Sequence, residues 1–219
     1  MVEVFFDFLS PYSWLALRAC HDWQVDSALK MRFRPVPVVY GVILEAEGAM
    51  GPGETPRKRL QAMRDVARIA ALRDIPLLGP PAHPFRSLDA LRIVALFEDE
   101  PGALVLATCL ANAAWEHGLD LTDLTVLADV VRSVGLDASD LGAKIGEARV
   151  KDRLRASTAD AIARGVCGVP TFGYGGELFH GQDRMDHVKL AVRGQLPQTD
   201  TLARAMAARP AGVRRRSAP

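Results

Sequence analysis

The sequence predicts an α/β fold with a β-α-β unit at its start, an α-β-β-α segment near its end and an all-helical insertion between them. Three observations carry this. Residues 2–8 (VEVFFDF) are almost wholly apolar and rich in β-formers, as a strand buried on both faces requires. Residues 171–179 hold two short strand-like runs on either side of Gly175-Gly176, a two-residue turn that favours positive φ at both positions. Residues 42–149 show no strand signal, and apolar residues recur there at helical spacing.

Each element follows in order. After the first strand, Tyr12, Leu15, Ala16, Ala19 and Trp23 predict a helix whose apolar stripe faces that strand. Residues 31–39 (MRFRPVPVV) read as a second strand. Pro35 and Pro37 lack the N–H a ladder needs, so this strand ends there or lies at an edge. A β-α-β connection makes the two strands parallel. In the insertion, Leu60, Met63, Ala67 and Ala70 form one helical period and Leu88, Leu91 and Ala95 the next. Leu104, Thr108, Ala111 and Trp115 follow, then Leu124, Leu127, Ala128 and Val131, with breaks at 76–84, Pro101-Gly102, Gly118 and Gly135. Leu154, Thr158, Ala161 and Ile162 mark a helix that Gly165 closes. Residues 186–194 predict the last core helix and 199–208 one more. The expected units are residues 1–41 with 150–195 for the core, 42–149 for the insertion, and 196–219 for a C-terminal helix and flexible tail. This order is that of a thioredoxin-like core with a helical domain inserted after the second strand.

Composition narrows the class. The chain has 219 residues, 49 % apolar and 24 % charged, an ordinary balance for a globular protein. A net charge of +1 gives no field to attract nucleic acid or an anionic membrane, and basic and aromatic residues are not interleaved as nucleic-acid surfaces need. The basic run Arg214-Arg215-Arg216 lies in a tail bearing proline and glycine, read as frayed. The longest mostly apolar stretch, residues 102–115, is too short to span a bilayer. Cys20, Cys109 and Cys167 are scattered and form no CxxC, which suits a reducing compartment. The strand-like run stands at the very start with no basic, apolar leader before it, so a soluble cytoplasmic protein is expected. His21, His83, His117, His180 and His187 show no metal-ligand spacing, and no Gly-rich run is built to cradle a dinucleotide or triphosphate.

Chemistry concentrates in three short stretches. SPYS, residues 10–13, stands where the first strand meets the first helix. Ser10 is a favoured N-cap and Pro11 fits the first helical position, so the stretch is first of all a cap. A helix N-terminus after a parallel strand also attracts an anion, and its free N–H groups favour a thiolate over a thiol. A thioredoxin-type fold usually carries two cysteines at this junction; here both are absent, and Ser10 and Ser13 keep the spacing. Serine cannot form a disulfide, but its O–H can be donated to a sulfur that another molecule brings. The second stretch, GVCGVPTF (165–172), puts Val169-Pro170 at the entry to a strand. The third, HGQDR (180–184), precedes the final core helix with ordinary capping residues.

Together, SPYSWLA after the first strand, GVPTF entering the third and GQDR before the final helix resemble the 2-hydroxychromene-2-carboxylate isomerase and kappa-class glutathione transferase family, a DsbA-like branch of the thioredoxin superfamily. PRKRLQAMRD (56–65), IPLLGPP (75–81) and HPFRSLDALR (83–92) are similar to that family's helical segments, and the resemblance spans roughly residues 2–195. It implies glutathione as cofactor. Ser10 matches the catalytic serine that faces the glutathione sulfur. Val169 matches the residue whose backbone pairs with the cysteinyl part, and Pro170 the cis-proline after it. Gly181, Gln182 and Asp183 fall in the segment holding the γ-glutamyl end, with Arg184 a supporting ion partner. Lys58 and Arg59 match a basic pair near the glycine end and the substrate, and Tyr12, Phe85 and Arg86 are implied at the substrate pocket.

The resemblance implies cis–trans isomerisation of a conjugated aromatic α-keto acid in aromatic catabolism, carried out by a homodimer. This chain departs from the family pattern at Cys167, where an aromatic residue or leucine is common, and at Arg86, where asparagine is common. Residues 45–54 lack an expected asparagine, and Gln61 and Ile69 replace aromatic residues. Two alternatives stay open: a kappa-like transferase conjugating small electrophiles, and a glutathione-binding protein without catalysis. A disulfide oxidoreductase fits poorly, because SPYS has no redox pair.

Overall fold

Four strands, β1 (Val2–Phe6), β2 (Phe33–Pro37), β3 (Thr171–Tyr174) and β4 (Glu177–His180), form one sheet in the order β2-β1-β3-β4. The computed structural model describes residues 1–26 and 31–210; the basic run at 214–216 lies outside them. β1 and β2 run parallel, with Val4 beside Pro35, as the β-α-β connection demands. β2 lies at the sheet's edge, where its prolines leave no ladder bond unmade. β1 pairs antiparallel with β3, which turns back on β4 through Gly175 and Gly176 at φ of 60° and 85°.

Ten helices complete the described chain. α1 (Pro11–Val25) links the first two strands; α2 (Tyr40–Ala46), α3 (Pro56–Leu72), α4 (Leu88–Leu96), α5 (Ala103–Trp115), α6 (Leu124–Ser133) and α7 (Leu141–Gly146) follow. α8 (Ala148–Ala163) returns the chain to the sheet, and α9 (Met185–Val192) and α10 (Asp200–Ala207) end it. The breaks at Gly118, Gly135 and Gly165 all have positive φ, the conformation that ends a helix with least strain in glycine. Among the described residues no helix is long and apolar enough to cross a membrane.

Alternation along β1 divides the core. Val2, Val4 and Phe6 join the large cluster formed with α1, α4, α5 and α6. Phe5 points the other way and packs with Val36, Val38, Ile43, Ala161, Val166 and Val169. Glu3, on that second face, pairs with Arg34 and Arg164, whose hydrogen bonds hold its carboxyl below the ordinary value in spite of burial.

Two helical stripes differ from expectation. On α1, Tyr12, Ala19 and Trp23 are only half-buried, whereas Trp14, Leu17 and Cys20 are fully buried. The reason is that α5 also packs against α1, so this helix buries residues beyond the stripe that faces the sheet. Trp14 stacks on Trp115 at 6.3 Å, and its indole N–H donates to Asn112 Oδ1 (3.1 Å) and Glu116 Oε1 (3.3 Å). On α3 the buried line is Val66 and Ala70 with Met63 beside it, while Leu60 and Ala67 are exposed. α3 is held along a narrow strip, and its neighbours rather than its apolar count select the face.

Candidate active site

Ser10 caps α1 with extended backbone (φ −90°, ψ 116°) and Pro11 stands at the first helical position. The hydroxyl does two things. It accepts a hydrogen bond from the Ser13 N–H (3.2 Å) and donates to the Val169 carbonyl (3.3 Å). Val169 precedes a cis peptide bond to Pro170, so the first helix and the turn entering β3 meet at this hydroxyl. Ser10 is 7 % exposed, enough to border a cavity of about 520 Å³.

That cavity has two sides. Leu9, Ser10, Pro11, Tyr12 and Val169 make its floor. α2, the short 3₁₀ turn Pro52–Glu54, α3 and the pair His83-Pro84 make its walls. Most of the lining is apolar. The charged or titratable side chains among it are Tyr12, Tyr40, Glu45, Glu54, Arg59 and His83. Tyr12 donates its hydroxyl to Asp65 on α3 (2.8 Å); burial and that carboxylate push its pKa up to about 12. Burial likewise pushes the Tyr40 hydroxyl up, with Glu54, Asp7 and Cys167 adding to it. Arg59 has no ion pair among the described residues, so it is the one cation offered to an occupant of this mostly apolar space.

Behind Ser10 lies Asp7, wholly buried. Its carboxylate accepts from the N–H groups of Leu9 (3.0 Å) and Tyr40 (2.9 Å), and burial still pushes its pKa above the ordinary value.

The structure brings Ser10, Tyr12 and Val169 together at the cavity, with Pro170 directly behind Val169. The expected γ-glutamyl segment lies outside the lining. Gly181 donates its N–H to the Pro170 carbonyl (2.9 Å), and Gln182, Asp183 and Arg184 form a 3₁₀ turn against α1. Asp183 lies close enough to Tyr12 to contribute to its raised pKa, and it pairs with Arg184 at 3.3 Å. Gln182 accepts from Arg73 (3.4 Å). Lys58 is exposed and away from the lining; its neighbour Arg59 takes that place. Phe85 packs half-buried against the core and Arg86 is exposed, paired with Asp89 at 3.5 Å. Neither lines the cavity; His83 and Pro84, two residues earlier, do. Cys167 is exposed near Tyr40 and also lies outside the lining. Tyr40 and His83 had no sequence signal of their own, although HPFRSL marked the right segment.

Fold and site define a class: a thioredoxin-like protein with a helical insertion, whose first helix opens on a serine hydroxyl beside a cis-proline and carries no redox pair. The DsbA-like thioredoxin domain family matches residues 1–193. A 2-hydroxychromene-2-carboxylate isomerase of Pseudomonas putida is 31 % identical over 196 residues, 88 % of this chain and 94 % of its own. Glutathione S-transferase kappa 1 of Rattus norvegicus is 27 % identical over 181 residues, 78 % of this chain and 79 % of its own. A solved 2-hydroxychromene-2-carboxylate isomerase superposes with a TM-score of 0.77 at 26 % identity, over 94 % of this chain and 97 % of that one. The chain belongs to the DsbA-like thioredoxin family, in the branch of the 2-hydroxychromene-2-carboxylate isomerases and kappa-class glutathione transferases.

Proposed function

We propose that this isomerase is glutathione-dependent and interconverts the cis and trans forms of a conjugated aromatic α-keto acid. The carrying observation is the Ser10 hydroxyl, capped onto α1 and set at the edge of a cavity with no cysteine on its lining. The residues present suit glutathione. The cavity, about 520 Å³, is within the usual size for a drug-sized ligand. It offers a hydroxyl and a positive helix end for a sulfur and the Val169 backbone beside it, and the Arg59 guanidinium, without an ion pair among the described residues, is left for a substrate carboxylate. Asp183 and Gln182, against the start of α1, would hold the amino-acid end.

Bound glutathione would supply a thiolate that adds reversibly to the conjugated double bond, which becomes a single bond free to rotate. The chain's part is to hold and dry that chemistry. Ser10 turns its O–H from the Val169 carbonyl to the sulfur, while the Ser13 N–H keeps the oxygen in place. The α1 N-terminus lowers the thiol pKa through its positive dipole end, since Pro11 has no N–H and the Ser13 and Trp14 N–H groups are already turned to Ser10. Arg59 anchors the substrate carboxylate, and Leu44, Ala62 and Met63 exclude water from the reacting bond. Burial-raised Tyr12 and Tyr40 stay protonated at neutral pH and act as donors, not as bases. The protein works as a soluble cytoplasmic homodimer in this reading.

Two measurements together test it. Calorimetry should detect glutathione binding, and the protein should isomerise a cis-enone α-keto acid without consuming glutathione. A stable thioether product would favour the conjugating transferase; binding without turnover would favour a non-catalytic role. No heat with millimolar glutathione would remove the cofactor from the account.

A further inference from the structure

The turn that presents Ser10 is gripped from outside the sheet. Phe8 and Leu9 precede Ser10, and both of their carbonyls point into the helical part of the molecule. The Trp115 indole N–H donates to the Phe8 carbonyl at 3.0 Å. His83 Nε2 lies 2.9 Å from the Leu9 carbonyl, which can only accept, so Nε2 carries the proton. The two clamping rings touch edge to face, with centroids 5.6 Å apart. Asp7 closes the turn from the other side, taking the Leu9 N–H on its carboxylate and the Ser10 N–H on its carbonyl, both at 3.0 Å.

The other nitrogen of His83 is the telling one. Nδ1 is buried and has no hydrogen-bond partner among the described residues. The ring lies against Gly53, where a β-carbon would sit 3.1 Å from Cε1. The 3₁₀ turn Pro52–Glu54 therefore covers this edge, and glycine leaves the room for it. A second proton on the ring would create a buried donor with nothing to accept it. The ionisable groups around the ring are Arg59 on α3, Glu54 on the covering turn, and Tyr12 and Tyr40 across the cavity; Asp7 lies on the far side of the turn.

We infer that His83 is a positioning residue for Ser10: its neutral imidazole, protonated on Nε2, pins the Leu9 carbonyl and so aims the Ser10 hydroxyl into the cavity. Burial first, then the nearby Arg59 charge, lowers the imidazole pKa, outweighing the Leu9 bond that raises it. The sign follows. With a folded pKa below the ordinary 6.5, the clamp is intact above that value and is lost as pH falls through the folded pKa. The catalytic consequence rests on the function proposed above; the clamp itself does not.

Nitrogen-15 NMR of the histidines in the full-length protein tests the clamp without any ligand. The expected result is a neutral His83 with its proton on Nε2, titrating below the ordinary imidazole value. Amide exchange at Ser10 and Ser13 should speed up in His83→Phe, which keeps ring packing and loses the donor. In turnover, His83→Phe should lower kcat by about ten- to hundredfold, the effect of a slight misplacement, with glutathione affinity nearly unchanged. His83→Gln, which keeps a donor but cannot titrate, should restore most of the rate and abolish the acid limb of the pH–rate profile. A proton on Nδ1, a normal or raised His83 pKa, or unchanged exchange in His83→Phe would overturn the inference. If His83→Phe does not fold, tautomer and titration in the wild type still decide. If the wild type binds no glutathione, the functional reading falls, and the NMR and exchange results still judge the clamp.

Discussion

Ser10→Ala removes one oxygen and separates what that oxygen does for the fold from what it does for the chemistry. For the fold, the hydroxyl caps α1 through the Ser13 N–H at 3.2 Å. Losing such a cap costs about 0.5–2 kcal/mol. The bond to the Val169 carbonyl, at 3.3 Å, is longer than ordinary hydroxyl hydrogen bonds and adds little. A loss of about 1 kcal/mol lowers the Tm of a chain this size by about 2–4 °C. The chemical effect is larger. A hydrogen bond to a charged acceptor contributes about 1.5–3 kcal/mol, and one pKa unit corresponds to about 1.4 kcal/mol. Redirecting the O–H from Val169 to sulfur gives up only that long bond, so nearly all of the gain goes to the thiolate. The pKa of glutathione bound to Ser10→Ala should therefore rise by about one to two units, and turnover at neutral pH should fall with it. Thiolate ultraviolet absorbance followed against pH reads the shift, with melts and initial rates on the same samples. A folded variant that binds glutathione, titrates it at the wild-type pH and turns over normally would refute the reasoning.

Two further outcomes are expected. Arg59→Gln should raise KM for a carboxylate-bearing substrate about tenfold and leave kcat alone, since a solvent-accessible charge-assisted bond is worth about 1.4 kcal/mol in affinity; glutathione esterified at its glycine end shows whether the guanidinium serves the cofactor instead, and an unchanged KM for both removes Arg59 from the site. Asp7→Asn should flatten the pH dependence of stability: because burial raises the Asp7 pKa in the folded state, its favourable contribution is complete below the ordinary 3.8 and is lost as pH rises through the folded pKa. Chemical denaturation across that interval measures the slope, and a slope equal to wild type would contradict the assignment.

Local chemistry was well legible in the sequence. Pro35 and Pro37 announced an edge strand, Gly175-Gly176 a hairpin, and Ser10-Pro11 a helix start, because each acts through its own backbone geometry. Faces of helices were less legible. The buried face of α1 is wider than its predicted stripe because α5, some 90 residues later, packs against it as well. The same limit governs the cavity walls. Along α3, Lys58 and Arg59 are adjacent in the chain but turned about 100° apart, so one lines the cavity and the other faces solvent. HPFRSL flagged the correct loop, but the way that loop crosses the turn before Ser10 decided that His83 and Pro84, and not Phe85 and Arg86, meet the cavity.

By itself, then, the sequence determined the strands, most of the helices in their order and the capped serine, since these follow from short-range sterics and hydrogen bonding within a few residues, while the short helices α2 and α7 carried no periodic signal long enough to announce them. Tertiary structure alone decided the surroundings of that serine: His83 and Trp115 hold the turn before it, and Tyr40 and Arg59 line the cavity it borders, from positions 30 to 105 residues away. Such contacts depend on how helices pack across the whole insertion, and no local pattern encodes the sum of those packing choices.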